Sequence, residues 1–324
     1  MLLPEGHREM MVWALVALGL VILLLAGDAL VKGAVNLSLR VGIPALIVSL
    51  TVVAFGTSAP ELLVSIGAVL ADKPGLALGN VVGSNTANAL LVLGLPAILA
   101  GLHTSGCDTR KTYVFMLIAT VLFIALAFTG TFTFWSGLIL LAALGYMLFD
   151  AARDATRHRR AERAAPADEV EGADPDMPWW RIILFLVLGL VGLPLGADLL
   201  VDNASIIASD YGVSDSVIGL TLVALGTSLP ELATTVMAAL RRQADVALGN
   251  VIGSNMFNLL AIIGVASLIG PIPVDPEFLH FDLWVMLAAS MALIPFVFFK
   301  VDIGRVWGVI LSAAYVAYVT IILI

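Results

Sequence analysis

Two glutamates, Glu61 and Glu231, stand inside apolar segments that carry no lysine or arginine in their interiors. Each belongs to the same short motif, GTSAPEL over 56–62 and GTSLPEL over 226–232. If such segments cross a membrane, a carboxylate near the bilayer centre costs about 2.5–3.5 kcal/mol and requires cations or polar partners. We interpret the pair as cation ligands. The competing interpretation is two protonated acids hydrogen-bonded between helices.

The residues before each glutamate predict a break in the helix. Pro60 and Pro230 each remove one backbone hydrogen bond and displace the carbonyl four residues earlier, and the glycine that opens each motif loosens the same turn. Thr57 and Thr227 precede the glutamates by four positions and therefore share a helical face with them. Hydroxyl, freed carbonyl and carboxylate oxygens are predicted to converge at these breaks, as in discontinuous transporter helices.

A second repeated motif supplies neutral oxygens. It reads GNVVGSN over 79–85 and GNVIGSN over 249–255, and both copies are followed by another asparagine. The polar residues recur every four positions, which places them on one stripe of a helix. They are Asn80, Ser84 and Asn88 in the first copy and Asn250, Ser254 and Asn258 in the second. Taken alone, small and amide residues indicate helix packing. Beside a glutamate-bearing helix they favour ligation.

This set of oxygens fits calcium. Calcium takes six to eight oxygen ligands, and two carboxylates also supply a compensating charge, whereas magnesium retains its waters and fits less well. The same oxygens could hold sodium ions. Occupancy of one charge-limited site by either ion in turn is the physical requirement for exchange.

The composition predicts a membrane protein. Hydrophobic residues make up 60% of the 324 positions and charged residues 12%, whereas soluble domains carry about 25% charge. Nucleic acid is therefore not expected as a partner, and no obligate protein partner is evident. A single cysteine, Cys107, excludes an intrachain disulfide, and four scattered histidines give no support to zinc or iron chemistry. No cofactor is expected.

Polar, Gly and Pro interruptions divide the chain into ten apolar segments of membrane-spanning length. A long polar stretch separates five of them from the other five. We therefore predict an all-α membrane protein with a first unit over 1–151, a linker over 152–178 and a second unit over 179–324. The ten segments are 10–38, 44–71, 76–101, 111–129, 133–151, 180–209, 214–240, 245–269, 280–299 and 303–323. The first is interpreted as a transmembrane helix and not as a cleaved signal peptide, because no cleavage motif follows it.

The distribution of basic residues predicts the orientation. The linker begins with several arginines, and positively charged loops remain in the cytoplasm, so both termini are expected outside the cell. Other basic residues fall at connections that this topology places inside: Arg40, Arg110, Lys111, Arg241, Arg242, Lys300 and Arg305. Connections placed outside hold only Lys73, apart from Arg8 in the N-terminal tail.

The two units are copies of one another. Residues 51–94 align without gaps on 221–264 at an offset of 170, with 22 of 44 positions identical, and the same offset pairs Asp28 with Asp198 and Gly42 with Gly212. Because each unit has an odd number of spans, the copies are predicted to be inverted relative to each other, an architecture with its binding site near the membrane midplane. The alternative is a duplication without a shared site.

These four motifs resemble those of the sodium/calcium exchanger branch of the cation/calcium antiporter superfamily, in its prokaryotic form. The resemblance implies a Na⁺/Ca²⁺ antiporter, not an enzyme, in the cell membrane, with the first and sixth spans sliding as a gate. It implies that Glu61 and Glu231 bind calcium with the carbonyls of Thr57 and Thr227, and that sodium shares these acids. Further implied sodium ligands are Ser58, Ser228, the carbonyls of Ala54 and Ala224, Ser84 and Ser254, with Asn88 and Asn258 lining the centre. Asp28 and Asp198 resemble gate-end or surface groups.

One position departs from the family pattern. Many exchangers carry an aspartate where this chain has Asn258, so one protonatable group is missing and the sodium count, potassium co-transport and pH sensitivity are left open. Proton/calcium exchange is the nearest alternative. Three further alternatives are a cation channel, an intramembrane enzyme and a structural scaffold. The inverted repeat argues against a channel, and the lack of a suitable histidine argues against an enzyme. The two buried acids argue against a scaffold.

Overall fold

The computed structural model describes residues 5–161, 174, 176–212 and 224–323. The described chain is almost entirely helical. Its helices are α1 (Glu5–Val41), α2 (Ala45–Thr57), α3 (Ala59–Leu70), α4 (Pro74–Leu99), α5 (Arg110–Ala127), α6 (Phe134–Ala161), α7 (Trp179–Asp210), α8 (Ala224–Thr227), α9 (Leu229–Leu240), α10 (Ala244–Ile269), α11 (Phe278–Phe298) and α12 (Arg305–Leu323).

Eight of these helices are long and apolar enough to cross a membrane. The pair α2 and α3 makes a ninth span that is bent by 43° at its break. The predicted seventh span, 214–240, is described only from Ala224 onwards, as α8 and the apolar helix α9. The all-helical membrane prediction is therefore confirmed, and the start of the seventh span lies outside the described residues.

One helix continues beyond its predicted span. The fifth span was expected to end at 151, but α6 continues to Ala161, ten residues into the predicted linker. Alanine and arginine are strong helix formers, so the helix continues as its composition becomes polar. Lys111 at the start of α5 supports this extension, because its Nζ lies 2.5 Å from Asp150 Oδ2 and 2.6 Å from Asp154 Oδ2. Most of the remaining linker lies outside the described residues.

Local backbone features recur at the offset of 170. The helix breaks at Ser58 (φ −87°, ψ 6°) and at Ser228 (φ −86°, ψ 0°). Wide π-helical turns interrupt α4 at Asn88–Val92 and α10 at Asn258–Ile262. Gly42 and Gly212 both adopt positive φ, 72° and 83°, a conformation open to glycine without steric cost. The repeated sequence therefore folds into repeated local structure.

Two short β contacts connect the halves. Strand β1 (Thr131–Phe132) pairs antiparallel with β2 (Ile272–Pro273), and Leu102 forms an isolated antiparallel bridge with Ile303. The offset of 170 relates Leu102 to Ile272, and their partners Phe132 and Ile303 are 171 apart, so the second contact lies within one residue of the counterpart of the first.

The centre of the molecule is formed by α4 and α10. In the most apolar stretch of each of these helices 78% of the residues are buried, against 28% in α1 and α7. The long helices α1 and α7 pack against each other through glycines. A Cβ on Gly19 would lie 2.8 Å from Leu200 N, and one on its counterpart Gly189 would lie 2.5 Å from Leu30 Cβ. This pair forms a layer beside the central helices.

Candidate cation-binding site

The two glutamates follow the helix breaks, in the buried centre of the protein. Glu61 lies in the first turn of α3 and is 1% exposed, and Glu231 lies in the first turn of α9 and is 0% exposed. Pro60 and Pro230 lie in the same first turns, where a missing N–H has little cost. The proline therefore serves as the start of a new helix after the break.

Glu231 accepts hydrogen bonds from the other repeat and from its own. Ser58 Oγ donates to Glu231 Oε1 at 2.9 Å, and Ser254 Oγ donates to the same oxygen at 3.3 Å. The Thr57 hydroxyl lies 3.5 Å from Ser254 Oγ. The predicted hydroxyl ligands of the first break and of the second motif thus converge on one carboxylate oxygen.

Glu61 has a different environment. Neither of its carboxylate oxygens has a hydrogen-bond partner in the described part of the chain, and the same holds for Glu231 Oε2. Ser228, the counterpart of Ser58, contacts Ser84 Oγ at 3.4 Å instead. Three buried carboxylate oxygens therefore lack donors among the described residues. Because buried polar groups are normally satisfied, and charged ones most strictly so, this arrangement fits a cation.

Two asparagines hold the broken helices in place. Asn80 Nδ2 donates to Glu61 O at 3.2 Å and to Ser65 Oγ at 3.1 Å, while its Oδ1 accepts from Thr227 Oγ1 at 3.3 Å. Each asparagine thus ties its own glutamate helix to the break of the opposite half.

The second copy repeats this pattern. Asn250 Nδ2 donates to Glu231 O at 3.3 Å and to Thr235 Oγ1 at 3.2 Å, and its Oδ1 accepts from Thr57 Oγ1 at 3.3 Å. The threonine hydroxyls are therefore engaged in holding the breaks, which leaves the threonine carbonyls as the predicted ligands.

The predicted central pair is also asymmetric. Asn88 Nδ2 donates to Asn255 Oδ1 at 3.1 Å, but the equivalent bond from Asn258 to Asn85 does not form. Asn88 Oδ1, Asn85 Oδ1 and both amide atoms of Asn258 have no partner within the described residues. Additional neutral ligand oxygens are therefore present in the buried centre.

The predicted carbonyl ligands differ between the halves. Ala54 O accepts from Ser58 N at 3.0 Å and from Thr57 Oγ1 at 3.3 Å. In the second half, Ser228 N instead donates to Leu225 O at 3.1 Å. Ala224 begins α8, and its side chain lies outside the described part. The Ala54 carbonyl would have to exchange its Thr57 contact to bind a cation.

Hydrogen bonds connect the repeated serines and threonines with Asn80 and Asn250 around the glutamates. Asp28 is not part of this group, because it pairs with Arg241 and Lys32. Sequence reasoning missed Ser65, Thr235, Asn85 and Asn255, which hold ligand-bearing helices in place. The signal for the first pair is a hydroxyl four residues after each glutamate, and for the second pair it is the last residue of each GSN. Among the described residues no three His, Cys, Asp or Glu side chains gather into a cluster, so the site has two acids and a charge of −2 when both are ionised.

Comparisons with known proteins agree with this chemistry. Residues 11–150 and 181–324 match the family described as sodium/calcium exchanger protein. The inner membrane protein YrbG of Escherichia coli is 32% identical over 311 residues, which cover 95% of this chain and 96% of YrbG. The sodium/calcium exchanger MaX1 of Methanosarcina acetivorans is 34% identical, with 94% and 96% covered.

A solved structure shares the fold. The sodium-calcium exchanger NCX_Mj, soaked with 10 mM Na⁺ and 10 mM Sr²⁺, superposes with a TM-score of 0.81 at 31% identity, covering 96% of this chain and 98% of that one. Its fold therefore extends over nearly the whole chain. From the family match and these relatives together, we conclude that the chain is an integral membrane protein that belongs to the sodium/calcium exchanger family.

Proposed function

We propose that this protein is a secondary antiporter that exchanges Na⁺ for Ca²⁺ by alternating access at one site between its two halves. The observation that carries the proposal is the buried pair Glu61 and Glu231, with three carboxylate oxygens that have no donor among the described residues. Two carboxylates neutralise one Ca²⁺ or two Na⁺. Because both cargoes need the same charge, binding of one excludes the other.

The proposed ligands follow from this charge. Calcium is held by Glu61 and Glu231 with the carbonyls of Thr57 and Thr227, a set to which further oxygens can be added to reach the six to eight that calcium takes. Sodium shares the acids and uses the nearby hydroxyls and carbonyls. These are Ser58, Ser228, Ser84, Ser254 and the carbonyls of Ala54 and Ala224, with Asn88 and Asn258 at the centre.

The proposed architecture is ten spans in two inverted units of five, over 1–151 and 179–324, joined by a cytoplasmic linker over 152–178. The repeated breaks, π turns and β contacts support the duplication. The basic residues support a plasma-membrane orientation with both termini outside, and the name of YrbG supports an inner membrane.

The test is calcium-45 uptake into vesicles that contain the purified protein and internal sodium, with potassium and choline as control cations. We expect uptake that requires internal sodium and disappears in the double variant Glu61→Gln, Glu231→Gln. Uptake driven by a pH gradient and indifferent to sodium would make the protein a proton/calcium exchanger. Absence of calcium flux under every gradient would contradict the calcium assignment.

A further inference from the structure

Helix α1 lies directly against α9, the helix that carries Glu231 in its first turn. A Cβ on Gly27 would lie 3.0 Å from Ala233 O and 3.3 Å from Met237 Cγ. Such a distance leaves no room for a side chain between the two backbones. At this crossing the α1–α9 contact is closed.

The equivalent face in the other half is open. The offset of 170 relates Ala233 to Leu63 and Met237 to Gly67, both on α3. Leu63 is 69% exposed whereas Ala233 is 8% exposed, and a Cβ on Gly67 would meet nothing within 4 Å. The described part of α7 therefore does not cover α3 as α1 covers α9. Two helices of similar sequence are thus in two different packing states.

An ion pair sits at the closed contact. Asp28, next to Gly27, lies with its Oδ1 2.5 Å from Arg241 Nε, just after the end of α9, and with its Oδ2 2.9 Å from Lys32 Nζ. The side chains of Asp28 and Arg241 are 19% and 24% exposed. Lys32 lies on α1 itself, so of the two ion pairs it is the one with Arg241 that connects α1 to the end of α9. A partly buried pair of this kind is screened less than a surface pair.

The other half lacks the basic partners. At the offset of 170, Asp28 corresponds to Asp198, but Lys32 corresponds to Asp202 and Arg241 to Ala71. Asp72 follows Ala71 and is the counterpart of Arg242. Both residues have a positive φ, 56° for Asp72 and 54° for Arg242. Closing α7 onto α3 in the same way would place Asp198 and Asp202 beside Ala71, so the ion pair could not form there.

We propose that Asp28 and Arg241 form a latch that holds α1 against α9 and biases the protein toward the state that is closed at this end. The latch rests on the proposed alternating access, and in the proposed orientation the closed end faces the cytoplasm. It makes the two halves energetically unequal although their sequences are related. Asp28 and Arg241 are positioning residues, because they set the equilibrium between states and do not contact the cation.

The test measures accessibility and not transport. Met237→Cys is placed in a Cys107→Ser background, and its labelling rate with N-ethylmaleimide is measured in detergent without sodium or calcium. Adding Arg241→Gln is expected to raise the labelling rate about fivefold or more. The stabilisation from a partly buried ion pair lies between that of an exposed pair and that of a fully buried pair. Arg242→Gln removes the same charge from the same turn and is expected to leave the rate within about twofold, because exposed charges contribute little.

Restoration completes the test. The triple change Asp28→Arg, Lys32→Glu, Arg241→Asp rebuilds the pairs with reversed charges and is expected to restore slow labelling. Asp28→Asn is the second variant if Arg241→Gln does not fold. An unchanged rate in the folded single variant, or fast labelling in the charge-reversed protein, would overturn the latch. Because labelling needs no cation, its outcome is independent of whether the uptake assay supports sodium/calcium exchange.

Discussion

At the residue scale, Glu61 and Glu231 occupy equivalent positions in the sequence but have different partners. Two serine hydroxyls donate to Glu231 Oε1, whereas the Glu61 carboxylate has no protein donor in the described part of the chain. A buried acid without partners destabilises the folded protein when no cation is bound. Glu61 is therefore a residue whose presence favours cation binding at the expense of stability.

This inequality gives a prediction for Glu61→Gln. Loss of the charge is expected to weaken calcium binding by about 100-fold or more, the effect of removing one partner from a buried charged pair. The melting temperature in cation-free buffer is expected to stay the same or rise, because the unpartnered carboxylate has been neutralised. Calorimetry on the purified protein measures both quantities.

The matched control is Glu277→Gln, since Glu277 is exposed in the connection before α11. This variant is expected to change neither calcium affinity nor melting temperature. A Glu61→Gln protein that binds calcium normally, or that unfolds well below the parent, would contradict the interpretation of Glu61 as an unpartnered ligand.

The candidate ligands could be predicted from the sequence because they recur at a fixed offset beside a charge that must be neutralised. The hydrogen bonds of these residues could not be predicted from the sequence. Whether Asn80 holds the Glu61 turn or faces a cation depends on how α4 crosses the break, and the spacing of four residues fits both. The missing Asn258–Asn85 bond likewise depends on the relative placement of α4 and α10.

At the scale of helices, the prolines and glycines of the two GTS motifs predicted the breaks at Ser58 and Ser228. The π turns at Asn88–Val92 and Asn258–Ile262 were not predicted. A π turn adds a residue to one helical turn and has no distinctive composition. The extension of α6 to Ala161 was missed because a change from apolar to polar residues marks the end of the hydrocarbon core and not the end of a helix.

The close crossing of α1 and α7 gives a prediction for Gly189→Ala. Its new methyl group would lie 2.5 Å from Leu30 Cβ and 2.8 Å from Leu30 Cα, so the helices must separate. We expect a loss of stability of about 1–3 kcal/mol, typical of overpacking, measured as a lower melting temperature with reduced calcium uptake.

The control for this change is Gly145→Ala in α6, where a Cβ would meet nothing within 4 Å. Alanine is the better helix former, so this variant is expected to be as stable as the parent or slightly more so. Equal stability of the two variants would contradict the tight α1–α7 contact.

At the scale of the whole molecule, the proposed orientation predicts which residues are reachable from outside the cell. Lys73 and Lys300 are both exposed, but the topology places Lys73 outside and Lys300 inside. Labelling of Lys73→Cys and Lys300→Cys with a membrane-impermeant maleimide on intact cells tests this, and only Lys73→Cys is expected to react.

The experiment uses a Cys107→Ser background. Burial and the nearby Asp245 carboxylate raise the pKa of the Cys107 thiol, so its own labelling is expected to be slow. Permeabilised cells provide the control, in which both introduced cysteines should react. Labelling of Lys300→Cys alone on intact cells would reverse the orientation.

The duplication was evident from the constant offset of 170, because identical motifs in two apolar segments fold alike. The difference between the halves could not be predicted, because the similarity of the two sequences does not indicate which half is closed. The exchange of Arg241 for Ala71 and of Lys32 for Asp202 removes the ion pair from the other end. The meaning of this exchange depends on the contact of α1 with α9.

The central claim is that one site holds calcium or sodium but not both. The most direct measurement is equilibrium binding of calcium-45 to the purified protein as sodium replaces choline at constant ionic strength. The charge of the two glutamates predicts that about two or more Na⁺ displace each Ca²⁺, so the apparent Kd should rise with at least the square of the sodium concentration. Calcium binding that is unchanged by sodium would contradict the shared site.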